Sequence, residues 1–283
     1  MTRQQLVQQI FTKRSYLVVG LDTDISKIPS HLLSSPDPLF EFNKAIIDAT
    51  ADHCIGYKIN TAFYEALGVK GWEALDKTVR YISDNHFKIA DAKRGDIGNT
   101  SSQYAKAFFE AMPFDSITVA PYMGEDSVRP FLDHKGKWAI VLGLTSNSGA
   151  SDFELQKMLS KIEVLEEGVH ITHKHLSYLY ETVLEKVSEW GSPDNLMFVV
   201  GATQADEFVN IRRITPDHFY LVPGVGAQGG SLKEISEKAM IKDCGILVNA
   251  SRAVIYASNG KDFAEKAKQV AAEYHEEMKR YLP

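Results

Sequence analysis

Short, β-branched apolar runs alternate with amphipathic stretches along the whole chain, and eight such runs can be counted. They are Tyr16–Leu21, Cys54–Ile59, Phe87–Ala92, Ser116–Ala120, Trp138–Leu144, Leu196–Gly201, Phe219–Val222 and Gly245–Asn249. Several are apolar almost throughout, as parallel strands covered on both faces should be. Between them, stretches such as Glu73–Ile82 and Ser101–Met112 place apolar residues three and four apart, the spacing of a helix with one buried face. The closing stretch Lys261–Tyr281 is richer in polar residues and suits an exposed outer face. Eight β/α units in 283 residues favour a closed (β/α)8 barrel, a fold that occupies about 250 residues as one domain. An open doubly wound sheet is the competing arrangement, but the first strand is not followed by G-x-G-x-x-G.

No linker, repeat or low-complexity tract marks a boundary, so residues 1–283 are expected to form a single domain. The stretch from Gly149 to about His175 breaks the rhythm and is expected to be an insertion after the fifth strand. His170, His173 and His175 within it do not share one helical face and have no evident acidic partner, so no metal site is expected there. Cys54 and Cys244 lie in apolar runs without a Cys or His at zinc-ligand spacing. The net charge of −6 argues against a nucleic-acid surface, yet a few local Lys and Arg residues suffice to hold a small anion. Met1–Leu6 lacks the apolar core of a signal peptide, and no run approaches the ~18 apolar residues of a membrane span. A cytoplasmic location without membrane contact is the expectation.

In a barrel, chemistry belongs at the C-terminal ends of the strands. The richest of these is Asp91-Ala92-Lys93-Arg94-Gly95-Asp96, where alternation along a strand directs Asp91 and Lys93 into one cavity. Charges this close hold each other ionised and oriented, as proton transfer and metal binding both require. The first strand ends in Gly20-Leu21-Asp22, and the second in Tyr57-Lys58-Ile59-Asn60. Thr145-Ser146-Asn147 after the fifth strand suits a polar heterocycle. Pro223–Gly230, with Gln228 and Gly229, and Asn249-Ala250-Ser251-Arg252 follow the last two strands, where barrels commonly bind phosphate.

Together these segments, with Asp91–Asp96 continuing as Ile97-Gly98-Asn99-Thr100, resemble the orotidine 5′-phosphate decarboxylase family, most closely its type 2 branch. The resemblance runs in order from the first strand to the eighth. It implies a cofactor-free decarboxylase acting on orotidine 5′-monophosphate, with Lys58, Asp91, Lys93 and Asp96 as an alternating charged tetrad. Lys93 would protonate carbon 6 as carbon dioxide leaves, with Asp91 beside the departing group. Asp22, Lys58 and Asn60 would hold the ribose, Thr145 or Ser146 the pyrimidine, and Gln228, Gly229 and Arg252 the phosphate region. The resemblance also implies a homodimer in which Asp96 and Thr100 reach the neighbouring site.

Two other readings use the same residue types. A metal-dependent sugar-phosphate decarboxylase or epimerase barrel would place magnesium on the carboxylates, and a Schiff-base aldolase would use a strand-end lysine. The lysine-rich alternation repels a cation and weighs against the first.

Overall fold

The computed structural model describes residues 1–166, 169–226 and 229–283, leaving aside the side chains of residues 160–175. In chain order the strands are β1 (Leu17–Gly20), β2 (Gly56–Asn60), β3 (Phe87–Arg94), β4 (Ser116–Val119), β5 (Trp138–Leu144), β6 (Lys157–Glu166), β7 (Val169–Tyr178), β8 (Leu196–Val200), β9 (Phe219–Pro223) and β10 (Ile246–Ala250). Eight of them close a barrel in the order β1-β10-β9-β8-β5-β4-β3-β2. Every barrel pairing is parallel. This is the (β/α)8 barrel, and all eight apolar runs of the sequence are its strands.

The barrel is sealed at its N-terminal end. Phe87, Trp138 and Phe219 open the alternate strands β3, β5 and β9. Their rings meet edge to face, Trp138 lying 6.3 Å from Phe87 and 6.5 Å from Phe219. Interleaved strands supplying one layer of side chains is how such barrels fill their interior. Helix Arg3–Lys13 lies beneath, its N-terminus fixed by the Trp138 indole N–H donating to the Met1 carbonyl at 2.8 Å. With the lower barrel filled by buried apolar side chains, the cavity that gathers Lys58, Asp91 and Lys93 lies at the C-terminal mouth.

Outer helices cover the strands. Val69–Tyr81 buries Ala74, Leu75 and Val79, spaced as one face. Gly98–Lys106 passes into a π-helical turn, Ala107–Ala111, over the stretch read as one continuous helix. Phe263–Met278 sits within the closing Lys261–Tyr281 segment. Cys54 and Cys244 precede β2 and β10 rather than lying within them. Both are buried and unpaired, and burial pushes their thiols up to about 11 and about 12.

After β5 a short 3-10 turn, Ser148–Asp152, leads into an antiparallel hairpin of β6 and β7, paired from Lys157↔Tyr178 to Glu166↔Val169. This two-stranded sheet is separate from the barrel. The departure from β/α rhythm therefore extends to Tyr178, and the next helix begins at Leu179. The side chains of His170, His173 and His175 lie outside the described residues. Among the described residues, no helix is long and apolar enough to cross a membrane.

Candidate active site

A cavity of about 270 Å³ opens at the C-terminal mouth of the barrel. Lys58, pointing inward from β2, donates to Asp91 Oδ2 at 2.8 Å and to Asp22 Oδ1 at 3.1 Å. Lys93 Nζ reaches the other oxygen of Asp91, Oδ1, at 2.5 Å. One buried carboxylate thus lies between two ammonium groups, and a second carboxylate extends the run. Burial works against the charge on Lys58, but Asp22 and Asp91 outweigh it and its pKa is raised. Burial likewise works against the charge on Asp91. Lys58 and Lys93 outweigh that penalty and hold its carboxyl well below the usual carboxylate range. The Lys93 side chain is 53% exposed where that of Asp91 is 10% exposed, so its ammonium stands on the open side of the network.

Asp91 and Lys93 do share the cavity, though not through simple strand alternation. Pairing between β3 and β4 jumps from Ala90↔Ile117 to Arg94↔Val119, so Asp91, Ala92 and Lys93 bulge opposite Thr118 alone. Lys93 adopts the left-handed region, with φ 46°. That costs a residue with a Cβ about 1–2 kcal/mol, and bulges of this kind re-aim side chains beside active sites. Thr118 Oγ1 accepts from the Lys93 backbone N–H at 2.9 Å and donates to Asp91 Oδ1 at 3.1 Å.

The remaining walls come from other strand ends. Asn60, Thr145, Ser146 and Arg252 all line the cavity, as expected. Leu142, Val199 and Leu221 supply an apolar side from β5, β8 and β9. Glu154, just before the hairpin, holds Thr145 in place: its carboxylate accepts from the Thr145 N–H at 2.6 Å and from the Thr145 hydroxyl at 2.8 Å. Ser146 packs so closely on Gly201 that a Cβ there would come within 2.6 Å of the serine Cβ. Asn249 also faces the cavity, and its buried Oδ1 has no protein donor among the described residues.

Three of the residues named from the sequence do not line this cavity, and two of them, Asp96 and Thr100, are those the resemblance assigns to a neighbouring subunit's site. Asp96 does not line this cavity, and its carboxylate caps its own turn by accepting from the Ile97 N–H at 2.8 Å. Thr100 is in the first turns of helix Gly98–Lys106, also away from the cavity. Gly229 is not part of the wall; with φ 87° it donates its N–H to the Gly226 carbonyl at 3.0 Å, closing the turn on itself. The N–H groups of Gly226 and Gly230 are likewise bonded within the turn, to the carbonyls of Gly230 and Gly224. Gln228 lies outside the described residues. Among the described residues no group of three or more His, Cys, Asp or Glu is placed to hold a metal ion.

Sequence reasoning missed Thr118 and Glu154, and named Asn249 only as part of the polar segment that ends the last strand. A threonine in the upper half of the short strand Ser116–Val119, beside the Asp91–Lys93 strand, was the available signal for the first. Glu154 had none, because its partner is set by the path of an irregular loop.

The fold and site define a (β/α)8-barrel enzyme that gathers an ammonium–carboxylate network in the cavity at its C-terminal mouth. Within that class, the chain belongs to the orotidine 5′-phosphate decarboxylase / HUMPS family, whose profile matches residues 15–267. It is 54% identical to the orotidine 5′-phosphate decarboxylase of Bacteroides fragilis, over 100% of this chain and 98% of that protein. Identity to the enzyme of the same name from Flavobacterium johnsoniae is 57%, covering 98% and 97% of the two chains. The solved structure of Leishmania donovani OMP decarboxylase superposes with a TM-score of 0.76 at 32% identity, over 97% of this chain and 99% of that one.

Proposed function

We propose that this chain is a carboxy-lyase that converts orotidine 5′-monophosphate to uridine 5′-monophosphate and carbon dioxide, a step of de novo pyrimidine synthesis, without a cofactor. The observation that carries this reading is the run Lys58–Asp91–Lys93 within one cavity, with Asp91 buried and Lys93 on the open side. When the carboxylate leaves ring carbon 6 as carbon dioxide, its bonding pair stays on that carbon, where the ring π-system delocalises it poorly. The Lys93 ammonium offsets the developing charge and then gives carbon 6 its proton, and water returns a proton to the amine. Asp91 holds the Lys93 ammonium aimed into the cavity. In this reading Asp22, Lys58 and Asn60 hold the ribose, Thr145 and Ser146 read the pyrimidine, and Arg252 with Gln228 and the Gly229 turn hold the phosphate. Binding energy from that remote phosphate drives the closure and desolvation that turnover needs.

The chain is read as one catalytic domain spanning 1–283, with the β6–β7 hairpin as an insertion. It acts as a homodimer in which Asp96 and Thr100 complete the partner's site. Support comes from Asp96 standing away from its own cavity, beside exposed Ile97, and from exposed Tyr122 and Met123 on the loop after β4. Two buried, unpaired thiols suit a reducing cytoplasm. The sugar-phosphate alternative finds no support, since the relatives carry the decarboxylase name and two ammonium groups flank the carboxylate that would have to hold magnesium.

The test is the loss of orotate absorbance when the protein meets orotidine 5′-monophosphate in EDTA, with Lys93→Ala alongside. Turnover by the wild type and a fall of at least about 10²–10⁴-fold in the variant are expected. Absence of turnover by folded wild-type protein would overturn the reading.

A further inference from the structure

Thr118 is 1% exposed and stands alone opposite the three bulged residues of β3. A bulge takes backbone groups out of the ladder, and the N–H of Lys93 is one of them. The Thr118 hydroxyl accepts that N–H at 2.9 Å, so its own proton is free to point elsewhere. It points at Asp91 Oδ1, 3.1 Å away, which as a carboxylate oxygen can only accept. The same Oδ1 takes the Lys93 ammonium at 2.5 Å. A closed ring results: Lys93 backbone to Thr118, Thr118 to Asp91, Asp91 to the Lys93 ammonium. One hydroxyl thereby ties down both ends of the lysine, its main chain directly and its Nζ through the carboxylate.

We propose that Thr118 is a positioning residue for proton delivery, fixing the Lys93 ammonium and the Asp91 carboxylate in the geometry that turnover requires. The inference rests on the decarboxylase reading above. Removing the hydroxyl leaves every charge of the network in place but loosens its aim. It deprives the bulge N–H and Asp91 Oδ1 of a partner each, while the ribose and phosphate ends of the cavity are untouched. Misplacing a reacting group by about 1 Å costs on the order of a hundredfold in rate, so the loss falls on turnover and not on binding.

The experiment compares kcat and KM for orotidine 5′-monophosphate, and the Kd of uridine 5′-monophosphate, in wild type, Thr118→Val, Thr118→Ser and Thr118→Ala. Valine keeps the shape and loses the hydroxyl; serine keeps the hydroxyl. The expected result is a kcat about tenfold to a hundredfold lower in Thr118→Val, with KM and product affinity nearly unchanged and kcat restored in Thr118→Ser. A residue that served stability alone would lower the melting temperature without this split or this rescue. Equal kcat in wild type and Thr118→Val overturns the proposal, as does an equal loss in the valine and serine variants. Should Thr118→Val not fold, the serine and alanine variants decide in the same way: equal kcat in these two overturns it. A wild type that turns over substrate but ignores Thr118 overturns this inference alone, whereas an inactive wild type overturns the functional reading and this inference with it.

Discussion

Lys58 Nζ lies 2.8 Å from Asp91 Oδ2 and 3.1 Å from Asp22 Oδ1, so a single ammonium joins the C-terminal ends of β1, β2 and β3. The Lys58 side chain is only 5% exposed, and its charge exists inside the barrel because two carboxylates accept from it. The dependence is mutual. Removing the lysine leaves Asp91 buried with one ammonium fewer and Asp22 without its partner. Breaking a buried ion pair from one side costs about 3–5 kcal/mol, and the remaining contacts of Asp91 to Lys93 and Thr118 put this case near the low end. Lys58→Met is therefore expected to lose about 3 kcal/mol in urea unfolding, with a simultaneous loss of turnover. A variant as stable as wild type would show that the pair contributes nothing net.

The same network sets a pH window for stability. The Asp91 carboxyl is held below its ordinary range when folded, so its contribution is complete above the unfolded carboxylate value of about 3.9 and is lost as acid protonates it in the folded state. Lys58 behaves in the opposite sense. Its folded pKa is raised, so its contribution is complete below about 10.4 and is lost as pH climbs through the folded value. The stability difference between wild type and Asp91→Asn should be flat from about pH 5 to pH 9 and shrink as pH falls below about 4. Melting temperatures of the pair across that range would reveal it; a difference that persists undiminished into acid contradicts the assignment.

How far the chain could be read in advance differs between its parts for physical reasons. The strands were legible because each is a short, largely apolar run covered on both faces, whereas the layer that Phe87, Trp138 and Phe219 form at their starts emerges only once the barrel closes. Asp22, Lys58, Asn60, Asp91, Lys93 and Arg252 were legible because a polar group at the end of an apolar strand has few places to go except the mouth. Thr118 was not, since its role depends on a register jump between β3 and β4 that no local pattern encodes. Glu154 grips Thr145 from an irregular segment, where periodicity offers no signal. In the Gly229 turn the glycines supply the positive φ that composition suggests, while the bonds that the N–H groups of Gly226, Gly229 and Gly230 make within the turn depend on its path and carry no local signal.

Arg252 stands at the rim, exposed, on the short turn after β10, and it has no partner among the described residues. An unpaired guanidinium at the cavity rim is free to form a bidentate contact with a phosphate, which a charged pair makes worth about 1.5–3 kcal/mol. Arg252→Ala is expected to raise KM for orotidine 5′-monophosphate roughly tenfold to a hundredfold. Turnover should fall as well, because phosphate binding energy is used to reach the transition state. The nucleoside orotidine, which has no phosphate, should be handled equally by wild type and variant. A variant that loses activity on orotidine to the same degree would place Arg252 outside phosphate recognition.

The proposal of a shared site makes a sharper demand. If Asp96 serves the partner's cavity, each site takes Lys93 from one subunit and Asp96 from the other. Lys93→Ala and Asp96→Ala should then each be severely impaired as pure proteins. Refolded or exchanged together, half of the dimers would be mixed. A mixed dimer has one site carrying both substitutions and one carrying neither, so about a quarter of wild-type activity should return, given a two-fold symmetric pair. Analytical ultracentrifugation confirms that the species measured is a dimer, and activity is then followed as the ratio of the two variants is changed. A maximum at equal amounts is the expected shape. Activity that stays at the level of the separate variants at every ratio, with subunit exchange verified by a label on one of them, would mean that Asp96 acts within its own chain. The exposed Ile97, Tyr122 and Met123 would then have to be explained by something other than a shared mouth.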